Sequence, residues 1–476
     1  MDVPKQAPYG EFCGFFPKKF DFGADQDWFA SGNFCGAAIL EGWQGEAASG
    51  LMGNLDKAIT GLQFSETDEQ LFYLGASLWI AGNEIDALEA LRRSSFPAAE
   101  HLVKLICKPQ INVAAMSVWE DEDFQDPKFR VQKTGLSRTR MDETGQRIPD
   151  NRILENPFLS VTDALSYEPD FFFAHMIEWH ALPFDLHQLR CPTFGTTSDI
   201  DLHIQNNAPW MPAFDEVITA GPEEWGKARM LRSGPTCIFP KLFGLDAELL
   251  RPLNQYERDI DLFISGTTFS PYHPDKAALM RELMLADGLQ IRAINGFLDP
   301  QKYHDEMARS KIAFTYVRHP GSMPSRGIDA LGCGCAVLVQ KGSALTLYGD
   351  HNEGIYTYHP GQLVTGLQAL VQDWPRVSSQ ARRGAELMRR DFSKEKCISQ
   401  FLRFLTVRTA LLGSARYRQA PSEPHQKRVV ASKGWLYPAT VNYRMLAHNT
   451  AEAQAKNLNH PRLKTRSMQL AKWICI

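Results

Sequence analysis

The feature that constrains this chain most is a change of rhythm at residue 108. From there, short apolar runs alternate with amphipathic or polar stretches, and the pattern plays out twice. Ile111–Val118, Asp170–Met176, Pro192–Thr197, Phe214–Ala220 and Thr236–Phe239 read as strands in the first series. In the second, Asp261–Ser265, Leu289–Ile294, Ile312–Val317 and Ala336–Val339 read as strands. Helices Lys276–Ala286, Pro300–Ser310 and Ser325–Gly332 separate them, and helices Gly361–Trp374 and Ser378–Leu405 close the series. Short, uniformly apolar strands divided by helices belong in a parallel sheet covered on both faces. The expected fold class is therefore α/β, with two facing Rossmann-like domains over 108–255 and 256–412, each of ordinary domain size. Phe158–Leu165 reads as a helix. Glu120–Ile153 is polar and punctuated by Gly and Pro, and reads as a long insertion or mobile loop.

The flanks are different. Residues 1–50 lack clean periodicity and read as irregular structure or short helices. Over 51–107, Leu71, Leu74, Leu78, Ala81, Leu88 and Leu91 recur at helical steps, and Gly82-Asn83 breaks them into a hairpin. Leu74-Gly75, Leu78, Gly82, Ala87 and Leu91 resemble one tetratricopeptide repeat, whose small residues let two helices approach closely. One hairpin cannot bury both faces, so neighbouring helices complete it or it docks on the main body. The expected module covers 1–107. The tail, 413–476, reads as a basic helical extension: from Arg416 onward there are eleven Lys/Arg against two Glu, which leaves the rest of the chain at −13. Its basic and aromatic residues read first as a packed appendage.

Composition excludes several classes. Of 476 residues, 44% are hydrophobic and 22% charged, which is globular rather than disordered or fibrous. A formal charge of −4 does not indicate nucleic acid as a partner. The nine cysteines are odd in number and show no CxxC pair, which fits reduced thiols better than a disulfide framework or zinc site. No apolar run approaches the roughly 18 residues of a membrane helix, and no apolar leader follows Met1. A cytoplasmic protein with no transmembrane segment is expected.

The most informative stretch runs from Tyr316 to Val339: a strand, the loop Arg318-His319-Pro320-Gly321-Ser322-Met323-Pro324, then a helix start at Ser325-Arg326. Free N–H groups and the positive dipole end make a helix N-terminus an anion site. Ser325 can cap it and Arg326 can pair with phosphate. Asp329, one turn on, can accept hydrogen bonds from a ribose diol. The bland alternative is a capped helix packed between two strands. This stretch resembles the donor-binding motif of GT-B glycosyltransferases, in the group-1/family-4-like branch, and most of all its CgeB-like variant. There a Glu-Ala-x-x-x-Gly helix follows the loop and its Glu binds the ribose of a nucleotide sugar; here Asp329-Ala330-Leu331-Gly332-Cys333-Gly334 matches, with Asp for Glu. The longer motif has a second Glu where this chain has Gly321. The resemblance covers about 260–405 well and 111–258 more loosely.

The resemblance implies further residues. Ser265-Gly266-Thr267-Thr268 holds the place where such enzymes approach the donor phosphates. Gly266 permits close backbone approach and Thr267 and Thr268 offer hydroxyls, although the stretch also reads as an ordinary turn. Lys276 and Arg281 read as solvated helix residues rather than phosphate partners. His319 follows a strand where a sugar or phosphate could lie. In the N-terminal domain, Asp199 and His203 follow a strand, face the implied cleft and are the candidate catalytic bases; a capped helix start, with Ser198 or Asp199 as cap, reads equally well. His175, Glu178 and His180 form a second candidate group without zinc spacing, and no metal site is expected.

The implied activity is transfer of a sugar from a nucleotide-diphosphate sugar to a glycan or protein hydroxyl, without metal or other cofactor, in the interdomain cleft. The alternatives are a non-catalytic GT-B-like scaffold joined to a helical interaction module, or a relative such as a sugar epimerase.

Overall fold

A computed structural model describes residues 59–60, 62 and 67–413, save for 135–138, 142–146, 150–160, 162–163, 181–185, 201–202, 204–206, 209, 232–235, 240, 267–273, 297, 318–321 and 359–360. The readings of 1–50, of the basic tail, and of most of the helix Phe158–Leu165 lie outside the described residues.

The first elements named among the described residues are α1 (Asp68–Ala81), α2 (Glu84–Arg93) and α3 (Ala99–Ile106). Thr67 caps α1 through its side chain, and Gly82, at φ 94°, ends it in the left-handed conformation. The hairpin closes tightly at Gly75, where a Cβ would stand 2.5 Å from Leu91 Cγ. A parallel six-stranded sheet follows: β1 (Ile111–Met116), β2 (Phe129–Lys133), β5 (Phe171–Ala174), β6 (Thr193–Thr197), β7 (Glu216–Thr219) and β8 (Thr236–Ile238), in the order β2-β1-β5-β6-β7-β8. A small antiparallel pair, β3 (Thr139–Met141) and β4 (Arg147–Pro149), lies between β2 and β5 in sequence, and α4 (Pro222–Leu231) joins β7 to β8.

The second sheet is also parallel, in the order β10-β9-β11-β12-β13. It consists of β9 (Ile260–Ser265), β10 (Ile291–Ile294), β11 (Ser310–Thr315), β12 (Ala336–Gln340) and β13 (Ile355–Tyr358), with α5 (Pro274–Met284), α6 (Pro300–Ala308) and α7 (Ser325–Gly332) between them. Then come α8 (Leu363–Gln372), α9 (Trp374–Asp391) and α10 (Lys394–Gly413). Each sheet is buried on both faces, which is why its strands read as apolar runs. The two Rossmann-like sheets are those the sequence rhythm predicts.

Several elements depart from that reading. β2 falls inside the stretch read as a loop; it is an edge strand with one fully buried residue, Phe129, so it needs no apolar run. β13 and α4 are short and carry no sequence signal strong enough to separate them from loop. The closing helix is two helices, α9 and α10. They part at Phe392-Ser393 because Leu245, on the link between the sheets, pairs with the backbone there: its N–H donates to Phe392 O at 2.6 Å, and the Lys394 N–H donates to its carbonyl at 2.9 Å.

That break turns α10 back onto the first sheet. Phe401, Leu402, Phe404 and Leu405 join one apolar cluster with the hairpin and with Phe171, Phe173 and Phe194 of the sheet. Arg408 and Glu216, both buried, form a bidentate ion pair that ties α10 to β7. Trp79 Nε1 donates to Arg403 O at 3.1 Å, while the Arg403 guanidinium stacks 4.3 Å from the Trp79 ring. The hairpin is thus completed by α3, α10 and the sheet, with no further repeat among the described residues.

Candidate active site

In an open parallel sheet, ligands bind beyond the carboxyl ends of the strands, where the winding reverses. In the second sheet that point lies between β9 and β11, because β10 leaves to one side of β9 and β11–β13 to the other. The loops there are the two singled out by sequence: 266 onward, after β9, and 316–324, after β11. The structure brings Gly266, Arg326, Asp329 and Ser325 to this point. Thr267, Thr268 and His319 lie outside the described residues.

Gly266 has φ 93°, a conformation that favours glycine, and a Cβ there would stand 2.7 Å from the Arg326 guanidinium carbon. The exposed guanidinium therefore lies directly against the β9 turn. Lys276 joins it. It is buried at 3% exposure, and its Nζ donates to Ser265 O at 3.1 Å. Burial, and then the Arg326 charge, push its ammonium down to about 8. The reading of Lys276 as a solvated residue is overturned: α5 packs its first turn onto the end of β9 and buries that side chain. Arg281, one turn beyond, is exposed as read. Two cations so close repel each other, and an anion between them relieves both.

Asp329 is half-buried on α7. Desolvation raises its carboxyl to about 6, with His304 and Arg326 opposing. His304 is buried and its Nδ1 bonds Pro300 O at 2.8 Å, which makes Nδ1 the protonated nitrogen. Tyr303 hydrogen-bonds Ser265, and burial foremost, then Asp329, holds its phenol above the ordinary range. Tyr303 and His304 escaped the sequence reading, and Lys276 was ranked there as a solvated residue first, because no local motif marks a helix residue that another element covers.

The cap of α7 differs from the reading. The N-cap is Pro324, with no side-chain cap bond, and Ser325 is the first helical residue. Its hydroxyl is therefore not used as the cap, because proline's fixed φ already sets the entry. At the other end, Arg389 Nε donates to Gly332 O at 2.8 Å and Arg258 donates to Cys333 O at 2.9 Å, so two cations meet the negative end of the helix dipole. Gly334, at φ 79°, makes the sharp exit into β12.

The first sheet presents its own carboxyl edge. Asp199 is exposed after β6, and His203 is half-buried with its N–H donating to Asp199 O at 3.0 Å. Met176 and Asp199, at φ 62° and 47°, are the non-glycine residues with positive φ among the described residues. Such strain clusters at functional sites. Between them Glu178 is buried; its Oε1 accepts from the Ser198 N–H at 3.0 Å and the Ser198 hydroxyl at 2.9 Å. Burial raises Glu178 to about 8, so the neutral acid prevails at neutral pH. Ser198 is thus spent on Glu178 rather than on a cap; Glu224 instead accepts the Ile200 N–H at 2.9 Å. His175 and His180 are buried with Glu178, and His180 Nε2 bonds His175 O at 2.6 Å. That group braces the edge from within. Ser322, on the loop before α7, donates to Glu223 of α4 at 3.3 Å, which joins the two edges.

Residues 247–403 match the model of the glycosyl transferase-like family. The match covers about a third of the chain. The match spans the Tyr316–Val339 stretch, and the two Rossmann-like sheets are those its resemblance implies. Among solved structures, the sucrose-phosphate synthase of Thermosynechococcus elongatus is 14% identical, with 64% of this chain and 100% of that chain covered, at a TM-score of 0.41. An α-glucosyltransferase in complex with UDP-glucose and DNA containing an abasic site is 10% identical, over 62% and 98%, at 0.42. HepE of Anabaena, in complex with UDP and glucose, is 12% identical, over 62% and 100%, at 0.37. Likeness this distant says nothing of substrate. No curated protein matches the chain.

Proposed function

We propose that this glycosyl transferase-like protein moves a sugar from a nucleoside-diphosphate sugar to a hydroxyl of a glycan or protein acceptor. The observation that carries the reading is the pairing of Arg326 and Lys276 around the Ser265–Gly266 turn, at the switch point of the second sheet. The diphosphate lies against these two cations and the start of α7, with Gly266 giving the close approach. As the sugar–oxygen bond breaks, negative charge gathers on the departing diphosphate. The two cations stabilise that charge, a task that metal ions perform elsewhere. Asp329 accepts from the ribose hydroxyls, and His304 holds it from behind. The acceptor enters from the first sheet's edge. There Asp199, exposed at the edge, takes the acceptor proton; His203 is the second candidate for that role. Glu178 fixes the Ser198–Asp199 turn.

The test is a ligand-induced thermal shift with UDP, GDP, dTDP, ADP and CMP and their common sugars, on the wild type and on Asp329→Ala. A shift for one nucleotide, reduced in the variant, supports the donor site. No shift for any nucleotide in folded protein points to a scaffold instead.

A further inference from the structure

A cavity of about 440 Å³ lies between strand β13, its neighbour β12 and helix α8. It shares no residue with the site above. Tyr356, Tyr358, Gln362, Thr365, Gly366 and Leu370 line it. The volume is that of an ordinary small-ligand pocket.

Three observations bear on its occupant. The first is chemical. None of the lining side chains is charged, and the Arg376 guanidinium beside Tyr356 is already held by Asp373 and Gln380. Two tyrosine rings beside an amide and a hydroxyl suit a neutral, polyhydroxylated ring. Such a ring lays its C–H face on an aromatic and hydrogen-bonds at its edge.

The second is Gly366. It is the fourth residue of α8, where glycine weakens a helix relative to alanine. A Cβ built there meets nothing within 4 Å, and the backbone does not require glycine. Neither packing nor conformation explains it; the glycine keeps the cavity open.

The third is Tyr358. It is 4% exposed, and its hydroxyl is buried without a hydrogen-bond partner. A buried unsatisfied hydroxyl is unfavourable. A ligand hydroxyl admitted beside the ring by a small side-chain shift would satisfy it.

We propose that this cavity is a second carbohydrate site, taking one neutral sugar unit, separate from the nucleotide site. It goes beyond the transfer reading and does not depend on catalysis.

The test is calorimetry on the full chain with glucose, galactose, mannose, N-acetylglucosamine, maltose and cellobiose. The variants are Gly366→Phe, which fills the space, and Tyr358→Phe, which removes the unsatisfied hydroxyl. Both are expected to melt at or above the wild type. At least one sugar should bind the wild type. Its affinity should fall at least tenfold in Gly366→Phe and severalfold in Tyr358→Phe, while UDP affinity stays within twofold in both. The proposal is overturned if no sugar on the panel binds the wild type, or if binding survives Gly366→Phe. UDP binding is read separately, so failure of the donor site and failure of this site give different results.

Discussion

Replacing Lys276 with methionine should move stability and nucleotide affinity in opposite directions. Its ammonium falls from an ordinary 10.5 to about 8 in the fold. At about 1.4 kcal/mol per unit, holding it charged at neutral pH costs the apo protein about 3 kcal/mol. Between pH 8 and 10.5 the unfolded chain binds more protons than the native state. Stability therefore rises with pH across that window, and the penalty is complete below 8. Methionine keeps the stem and removes the charge. It also loses the bond to Ser265 O, worth about 1 kcal/mol, so the net gain is about 2 kcal/mol. For a domain of this size that raises the melting temperature by about 4–8 °C. The same change removes a charge-assisted bond to the diphosphate, worth about 1.5–3 kcal/mol, which weakens UDP about 10- to 150-fold. In the wild type, UDP affinity should hold steady up to pH 8 and then fall by up to tenfold per unit; in Lys276→Met that fall should vanish. Calorimetric melting and UDP titration from pH 6.5 to 9.5 read both effects. A variant that melts lower and binds UDP like the wild type would refute the reasoning. Lys276 would then be a strut for the β9 turn.

Gly266→Ala should weaken UDP at least tenfold in the same titration, because the Cβ would displace the Arg326 guanidinium that lies against it. Asp329, raised from 3.8 to about 6, binds a proton on folding between those values, so native stability falls as pH rises through that window. Asp329→Asn should flatten this slope in urea melts at pH 4 to 7, and also weaken nucleotide binding. Arg408→Leu leaves Glu216 charged and buried, and should cost about 3–5 kcal/mol in urea unfolding. The double variant Arg408→Leu/Glu216→Leu should recover most of it.

The switch-point edge of the second sheet was legible from local sequence. A strand, a Gly/Ser/Pro loop and a helix opening on Ser325-Arg326 sit within one short window, and local pattern suffices to place them. The four-residue step from Ser325 put the Asp329 carboxylate one turn inside the helix, where the structure has it. Lys276 was not legible. Nothing in Pro274–Met284 distinguishes it from Arg281, one turn along; burial by a packed neighbour tells them apart. The carboxyl edge of the first sheet was read only in outline. Asp199 and His203 were found by position after β6, but the strain at Met176 and Asp199, and the bond from Ser198 to Glu178, arise between segments some 20 residues apart.

The sequence by itself determined the class. Apolar strands at short intervals, each followed by a helix or loop, allow little other than parallel sheets buried on both faces, and the winding order then sets where a ligand lies. Only the tertiary structure decided the closure. The final helix breaks at Phe392-Ser393 because Leu245 pairs there, and α10 returns to the first sheet because Arg408 finds Glu216 and Phe401 finds Phe173. Such choices depend on partners about 150 residues away or more, and hydrophobic periodicity, a property of one segment at a time, carries no record of them.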